Sequence, residues 1–395
     1  MSGAITGVKM VTNDTLVRSK NVDETIARLI AEGREIGVQV TAYLGGKLAI
    51  DTWGGIADPD TGRKVDGDTL FNMFSVTKPL AATALHIQVA RGLVDYGARV
   101  MDYWPEFGVN GKEPTTVRDV LTHRAGIPQM PEGVTPELMA DWDWMTRGIA
   151  ALTPLAPPGE KALYLSMTFG WLVGEIVRRT DPKGRDIGTF IREEIALPLH
   201  APDIWIGLPD EQLPRVAKLV NAMPPVPPEY LPPLYTASMP PQVDLVPEVF
   251  ELPVVRRAPI AGVGGIFTTR SCARFWAMIA QGGELDGVRI LPADMVATFS
   301  TPRPNSDEPD PVMFGFPVPL GIAGFWLGGD GLSVAAAKHR RVLCHPGAGN
   351  SIGFADPETG LAVAIAHNRM QTAQTPEEDT MLMIADAIRA DLGVD

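Results

Sequence analysis

The 395-residue sequence is short of cysteine, of histidine and of uninterrupted apolar runs, and each shortage removes a class of function. Its two cysteines, Cys272 and Cys344, lie far apart and outside any C-x-x-C. A disulfide framework is therefore excluded, and two reduced, buried thiols are expected. The six histidines, His86, His123, His200, His339, His345 and His367, show no H-E-x-x-H or other close ligand spacing. No G-x-x-x-x-G-K-[ST] or dinucleotide glycine pattern follows a strand, so no metal or nucleotide cofactor is expected. No apolar run approaches a membrane span. The first ten residues hold no continuous apolar core of signal-peptide length, which predicts a cytoplasmic protein. Positive charge is scarce as well. With 34 Lys and Arg against 47 Asp and Glu, the net charge is -13, which argues against nucleic acid or an anionic membrane as partner.

What is present is an ordinary soluble composition, 45% hydrophobic and 21% charged, in a chain long enough for two domains or one with a large insertion. The pattern organises around Phe71-Asn-Met-Phe-Ser-Val-Thr-Lys-Pro-Leu80. Ser75 and Lys78 stand in S-x-x-K spacing, nearly one helical turn apart, so both point to one side. Pro79 to Gly92 reads as a helix that is apolar almost all round and hence buried, with Pro79 tolerated only in its first turn. A hydroxyl and an amine thus meet at the positive end of a helix dipole. Chance alone yields S-x-x-K about once in a few hundred residues. This one is the single instance in the chain, and it opens a hydrophobic helix.

In chain order, Asn21 to Gly33 reads as an amphipathic helix capped by Asp23. Val38 to Leu44 and Lys47 to Trp53 read as a hairpin turning at Gly45-Gly46. Helical patterns fill the middle: Val117 to Gly126, Pro136 to Leu152, Phe169 to Arg179 and Ile187 to Leu197. Residues 223–259 carry eleven prolines, read as precluding a helix and suiting an extended wrap; its interleaved Tyr230, Leu231, Leu234, Tyr235 and Met239 call for order. Ser271 to Gln281 is a helix. Gly321 to Leu327, Arg341 to His345, Ile352 to Ala355 and Leu361 to His367 are strands, and Asp379 to Leu392 is a closing helix. Strands at both ends and helices between them predict an α/β domain of residues 1–80 and 260–395 with a mainly helical domain, 81–259, inserted.

A serine needs a base. Gly349-Asn-Ser351-Ile-Gly353 matches G-x-S-x-G, but strand and turn follow it where a nucleophile elbow needs a helix, so it is read as a decoy. His123 is expected to bond local backbone at a helix end. Tyr164, after the Pro158-Gly159 turn, is the better partner; beside Lys78 in a closed site its phenolate would be favoured. His345-Pro-Gly347-Ala-Gly349 ends a strand in a glycine-rich turn whose free N–H groups suit an acyl-transfer oxyanion.

Ser75-Val-Thr-Lys78, Tyr164-x-Ser166 and His345-Pro-Gly347, in this order, resemble the three signature elements of the serine β-lactamase and penicillin-binding-protein superfamily. Leu121-Thr-His-Arg-Ala-Gly126, Ala261-Gly262 and Asp356-Pro-Glu-Thr-Gly360 match as well. The resemblance runs from about residue 20 to 390 and is nearest the class C-like branch, which includes the family VIII carboxylesterases. It implies a β-lactamase-like fold, an antiparallel sheet flanked by helices. It implies Ser75 as acylated nucleophile, Lys78 and Tyr164 sharing base and acid roles, and the N–H groups of Ser75 and Ala348 as oxyanion hole. Ser166, His345, Gly347 and Tyr235 are the expected substrate contacts. The second element usually ends in Asn and the third usually begins with Lys; Ser166 and a mostly neutral His345 here weaken a β-lactamase reading. A carboxylesterase acting on a small-molecule ester is the expectation. Transfer of the acyl group to an alcohol, amide or β-lactam hydrolysis, and a non-enzymatic binding role are the alternatives. The oligomeric state is open, a homo-oligomer included.

Overall fold

A computed structural model describes residues 19–329 and 336–394. Among these residues, seven strands form one sheet in the spatial order Trp326–Leu327, Leu343–Pro346, Ile352–Asp356, Leu361–His367, Gly37–Leu44, Lys47–Asp58 and Arg63–Lys64. Every neighbouring pair is antiparallel, and the two ends of the chain meet at its centre, where Val38 pairs with His367 and Leu44 with Leu361. The central strands are buried on both faces and alternate in size. Val38, Val40, Val363 and Ile365 pack under helices Lys20–Ala31 and Thr380–Leu392. Ala362, Ala364 and Ala366 face the other way, and their small side chains make room for helix Thr269–Ala280, which lies against the sheet with Phe275 and Trp276 buried. Each large apolar side chain so buried contributes roughly 1.5–3 kcal/mol.

The helix read from Asn21 begins at Lys20, and Asp23 is not its cap. The N–H groups of Asn21 and Val22 are instead taken by the Asp391 carboxylate of the closing helix, and Asp23 accepts from Ser19 and Thr52. The stretch Pro136 to Leu152 is two helices, Pro136–Ala140 and Trp142–Ala151. Asp141 leaves helical geometry between them and caps the second through Trp144 N–H. Val117–Leu121 is shorter than read, and Ile187–Ile191 runs into a wider turn, Arg192–Ala196. Of the strand read at Gly321 to Leu327, only Trp326–Leu327 forms.

The proline-rich segment departs most. It is ordered, yet its prolines open short helices rather than preventing them: Pro233–Ser238, Pro241–Val243, Pro247–Phe250 and Pro253–Arg257 each begin on one. Proline lacks only an N–H that a first helical turn leaves unpaired anyway, and its fixed φ suits that turn. Val243, Phe250 and Val255 are buried, and Ala237 O accepts from Met130 N–H, so the segment packs onto the helical region.

Candidate active site

The short strand Phe71–Phe74 pairs with Gly265–Phe267 and stops at an elbow. Phe74 has φ 45° and ψ -122°, backbone that a bulky side chain avoids. The surroundings hold it there. Phe74 N–H donates to Asn72 Oδ1, and the Thr77 hydroxyl donates to Phe74 O while accepting from Gly265 N–H at 2.9 Å. The Phe74 ring packs edge-on against Phe250 at 5.2 Å. The elbow delivers Ser75 in a 3₁₀ turn, Ser75–Thr77, and the helix proper starts at Lys78, not at Ser75.

Ser75 is 7% exposed and Lys78 fully buried. Lys78 Nζ lies 3.0 Å from Ser75 Oγ, 2.8 Å from Ser166 O and 3.0 Å from Gly262 O. Carbonyls can only accept, so two of the three Nζ directions are spent on them and the third faces the serine. Among the described residues no carboxylate bonds this amine, and burial pushes its pKa down to about 7. Gly262 can present its carbonyl because the chain passes close to Gly170, where a Cβ would collide with Gly262.

Tyr164 is buried above this pair. Its ring centroid is 5.2 Å from Lys78 Nζ, and its backbone N–H donates to Asp310 at 2.9 Å. His123 stacks face to face on the ring at 4.6 Å, and Trp326 meets its edge at 5.8 Å. Burial pushes the phenol pKa well above its ordinary value, with the neighbouring Ser75 hydroxyl opposing. The favoured phenolate read from the sequence is therefore corrected: at rest Tyr164 is a neutral phenol, because desolvation outweighs its polar neighbours.

His345 is buried, and burial and Lys78 hold its pKa well down, so the ring is neutral. Its Nδ1 is 2.7 Å from Pro346 O, which can only accept; Nδ1 therefore carries the hydrogen, and Nε2 accepts, 3.4 Å from Tyr164 OH. The following turn is pressed against the elbow, since a Cβ on Gly347 would collide with Met73 O. Ser166 is buried, with its carbonyl on Lys78 and its Oγ 3.5 Å from Ser238 Oγ. Tyr235 sits further out, reached through Ser238, which donates to Tyr235 O; its ring rests on Phe314 at 4.9 Å.

His123 does not bond local backbone through its side chain. With φ at 56°, it turns its ring across 42 residues, so that Nδ1 accepts from Leu165 N–H at 2.8 Å while the ring is held between Tyr164 and Phe169. Asp310, whose carboxyl burial pushes up to about 6, fixes the Tyr164 backbone from 146 residues along the chain, a distance at which no local sequence pattern links the two. The Gly262 carbonyl was legible only as part of the quoted Ala261-Gly262. Ser351 lies between two strands with its Oγ accepting from His367 N–H at 3.4 Å, so no helix follows it. Cys272 and Cys344 are free and buried. Among the described residues, no three His, Cys, Asp or Glu side chains group as metal ligands, and no helix is long and apolar enough to cross a membrane.

The sequence model of the Beta-lactamase family matches residues 22–387. Esterase/beta-lactamase LipL of Mycobacterium tuberculosis is 35% identical over 352 residues, 86% of this chain and 78% of that protein. A family VIII carboxylesterase crystal structure superposes with a TM-score of 0.85 at 30% identity, covering 94% of this chain and 97% of its own. A penicillin-binding protein homologue from Caulobacter crescentus gives 0.82 at 31%, covering 98% and 100%. With a family match over most of its length and esterase relatives of this similarity, the chain is a serine hydrolase of the esterase type and belongs to the Beta-lactamase family.

Proposed function

We propose that the chain hydrolyses small, uncharged carboxylic esters through an acyl-enzyme on Ser75. One observation carries the reading: the Lys78 amine is bonded to two carbonyls and turned towards Ser75 Oγ at 3.0 Å, with a pKa brought down to about 7. A base is most effective when its pKa lies near the working pH. In the proposed cycle, Ser75 Oγ attacks the ester carbonyl carbon as its proton passes to Lys78 Nζ. The oxyanion rests on the N–H groups of Ser75 and Ala348. As the bond to the alcohol breaks, Tyr164 gives its proton to the leaving oxygen and regains one from the Lys78 ammonium. Water then adds to the acyl carbon and loses a proton to the same base. Breakage of the Ser75 ester, with that proton returned to Oγ, releases the acid.

The preference for an uncharged ester is supported by the third element. A neutral His345 offers no cation for the carboxylate of a β-lactam, and Ser166 is shorter than the usual Asn. The test is reaction with p-nitrophenyl butyrate, following nitrophenolate release and intact mass, with Ser75→Ala alongside. The expected result is turnover and a Ser75-linked butyryl adduct in the wild type and at least ~10⁴-fold less turnover in the variant. Adding alcohols to the same assay separates hydrolysis from acyl transfer. No release and no adduct from the wild type would overturn the reading.

A further inference from the structure

A second buried pair lies behind the turn that carries Ala348, and the cycle above does not use it. Glu35, just before the first strand, and His367, at the end of the strand beside it, are both buried. Glu35 Oε2 is 2.8 Å from His367 Nδ1. Glu35 Oε1 accepts from Gln371 Nε2 at 2.8 Å and from the Thr380 hydroxyl at 2.5 Å. Thr380 Oγ1 itself accepts from Gln371 at 3.0 Å, so its own hydrogen points to Glu35. Gln371 and Thr380 both donate to the carboxylate. On the other side of the ring, His367 Nε2 is 2.7 Å from Gly349 O, a pure acceptor. Both ring nitrogens face acceptors, so both carry hydrogen and the ring is an imidazolium.

The turn relays this charge through its peptide planes. The peptide whose carbonyl is Gly349 O also carries Asn350 N–H, which donates to Gly347 O at 3.0 Å. The peptide whose carbonyl is Gly347 O also carries Ala348 N–H. In a trans peptide the N–H points opposite to the carbonyl, so Ala348 N–H is turned out of the loop. Gly349 and Asn350 hold this shape at φ 80° and 92°, and Gly347 N–H is tied to Ser351 O at 2.6 Å. A run of hydrogen bonds thus leads from the imidazolium to the Ala348 amide, which has no partner among the described residues, and bonds in a run polarise one another.

We propose that His367, kept charged by Glu35, is a positioning residue that orients and strengthens the Ala348 N–H as oxyanion donor. The inference rests on the acyl-transfer reading above. Burial alone would lower the His367 pKa; Glu35, then the Gly349 carbonyl and last Asp379 overcome it, and the net shift is upward. Asp379 reaches the same turn by accepting from Asn350 Nδ2 at 3.0 Å, while Gln371 and Thr380 face the pair as neutral donors.

Two variants separate shape from charge. Glu35→Gln can still present a donor to Nδ1 and leave Nε2–H on Gly349, so it removes the charge and keeps the geometry. His367→Gln removes the ring. With p-nitrophenyl butyrate, kcat is expected to fall about 10-fold or more in His367→Gln and about 3-fold or more in Glu35→Gln, with KM within about 2-fold in both. In Glu35→Gln the loss should shrink as pH is lowered and His367 regains its proton. Independently of turnover, NMR of ¹³C,¹⁵N-labelled wild type at pH 7.5 should show both His367 nitrogens protonated, the ring signals being assigned through bonds from the His367 backbone. A singly protonated His367 in the wild type overturns the proposal even if the variants fail to fold. Wild-type turnover with an unchanged kcat in folded His367→Gln overturns the positioning role alone. No turnover in the wild type overturns the esterase reading, and the positioning role with it.

Discussion

Lys78 and His367 are both basic side chains buried from water, at 0% and 3% exposure, yet their charges go opposite ways. Lys78 is met by two carbonyls and a hydroxyl, none of them charged, and burial takes its pKa down to about 7. His367 is met by a carboxylate, and its pKa rises. Burial sets the penalty for charge in both places; the partner decides whether the proton stays. Among the described residues one region has no counter-ion and gains a base, and the other has one and gains a fixed cation.

The largest effect comes from denying Lys78 its neutral form. Lys78→Arg places an always-protonated group beside Ser75, and kcat/KM for p-nitrophenyl butyrate should fall at least ~10³-fold, as far as in Lys78→Ala. A variant within 10-fold of wild type would break the comparison. Next is stability. Glu35→Ala leaves a buried imidazole without its carboxylate and should cost about 3–5 kcal/mol by urea unfolding at pH 6. Since the His367 pKa is raised in the fold, that contribution is whole below the unfolded value near 6.5 and is lost as pH rises through the folded value. For Lys78 the folded pKa is lowered, so its penalty is whole below about 7 and gone above the unfolded value of 10.5. The Tm of Lys78→Met relative to wild type should therefore be higher at pH 6 than at pH 9; equal differences would contradict the assignment.

Smaller effects probe the supports. Tyr164→Phe keeps the stack on His123 and loses the transferable proton, so kcat should drop about 10²-fold with Tm nearly unchanged. Thr77→Val removes the hydroxyl that bridges Phe74 O and Gly265 N–H, and should cost about 1–3 kcal/mol of stability while slowing acylation.

What the sequence made legible follows from distance along the chain. Ser75 and Lys78 lie within one helical turn, Tyr164 and Ser166 are two residues apart, and His345 to Ala348 is one turn, so each element is short enough to be matched to the family signatures it resembles. The hairpin at the centre of the sheet was legible from its two strand-like runs joined by Gly45-Gly46. Contacts between remote segments left no local trace. Asp391 capping Asn21 spans 370 residues, His367 to Glu35 spans 332, and Asp310 to Tyr164 spans 146. The proline segment was misread for another reason: proline was weighed as a helix breaker when the positions it occupies are helix starts.

The pH dependence of kcat/KM for p-nitrophenyl butyrate tests the Lys78 assignment most directly, because the substrate does not ionise and the limb reports the free enzyme. The account predicts that activity rises with pH through an apparent pKa near 7 and then levels off. A rise that continues past pH 9, as for a lysine keeping its ordinary pKa, would contradict it.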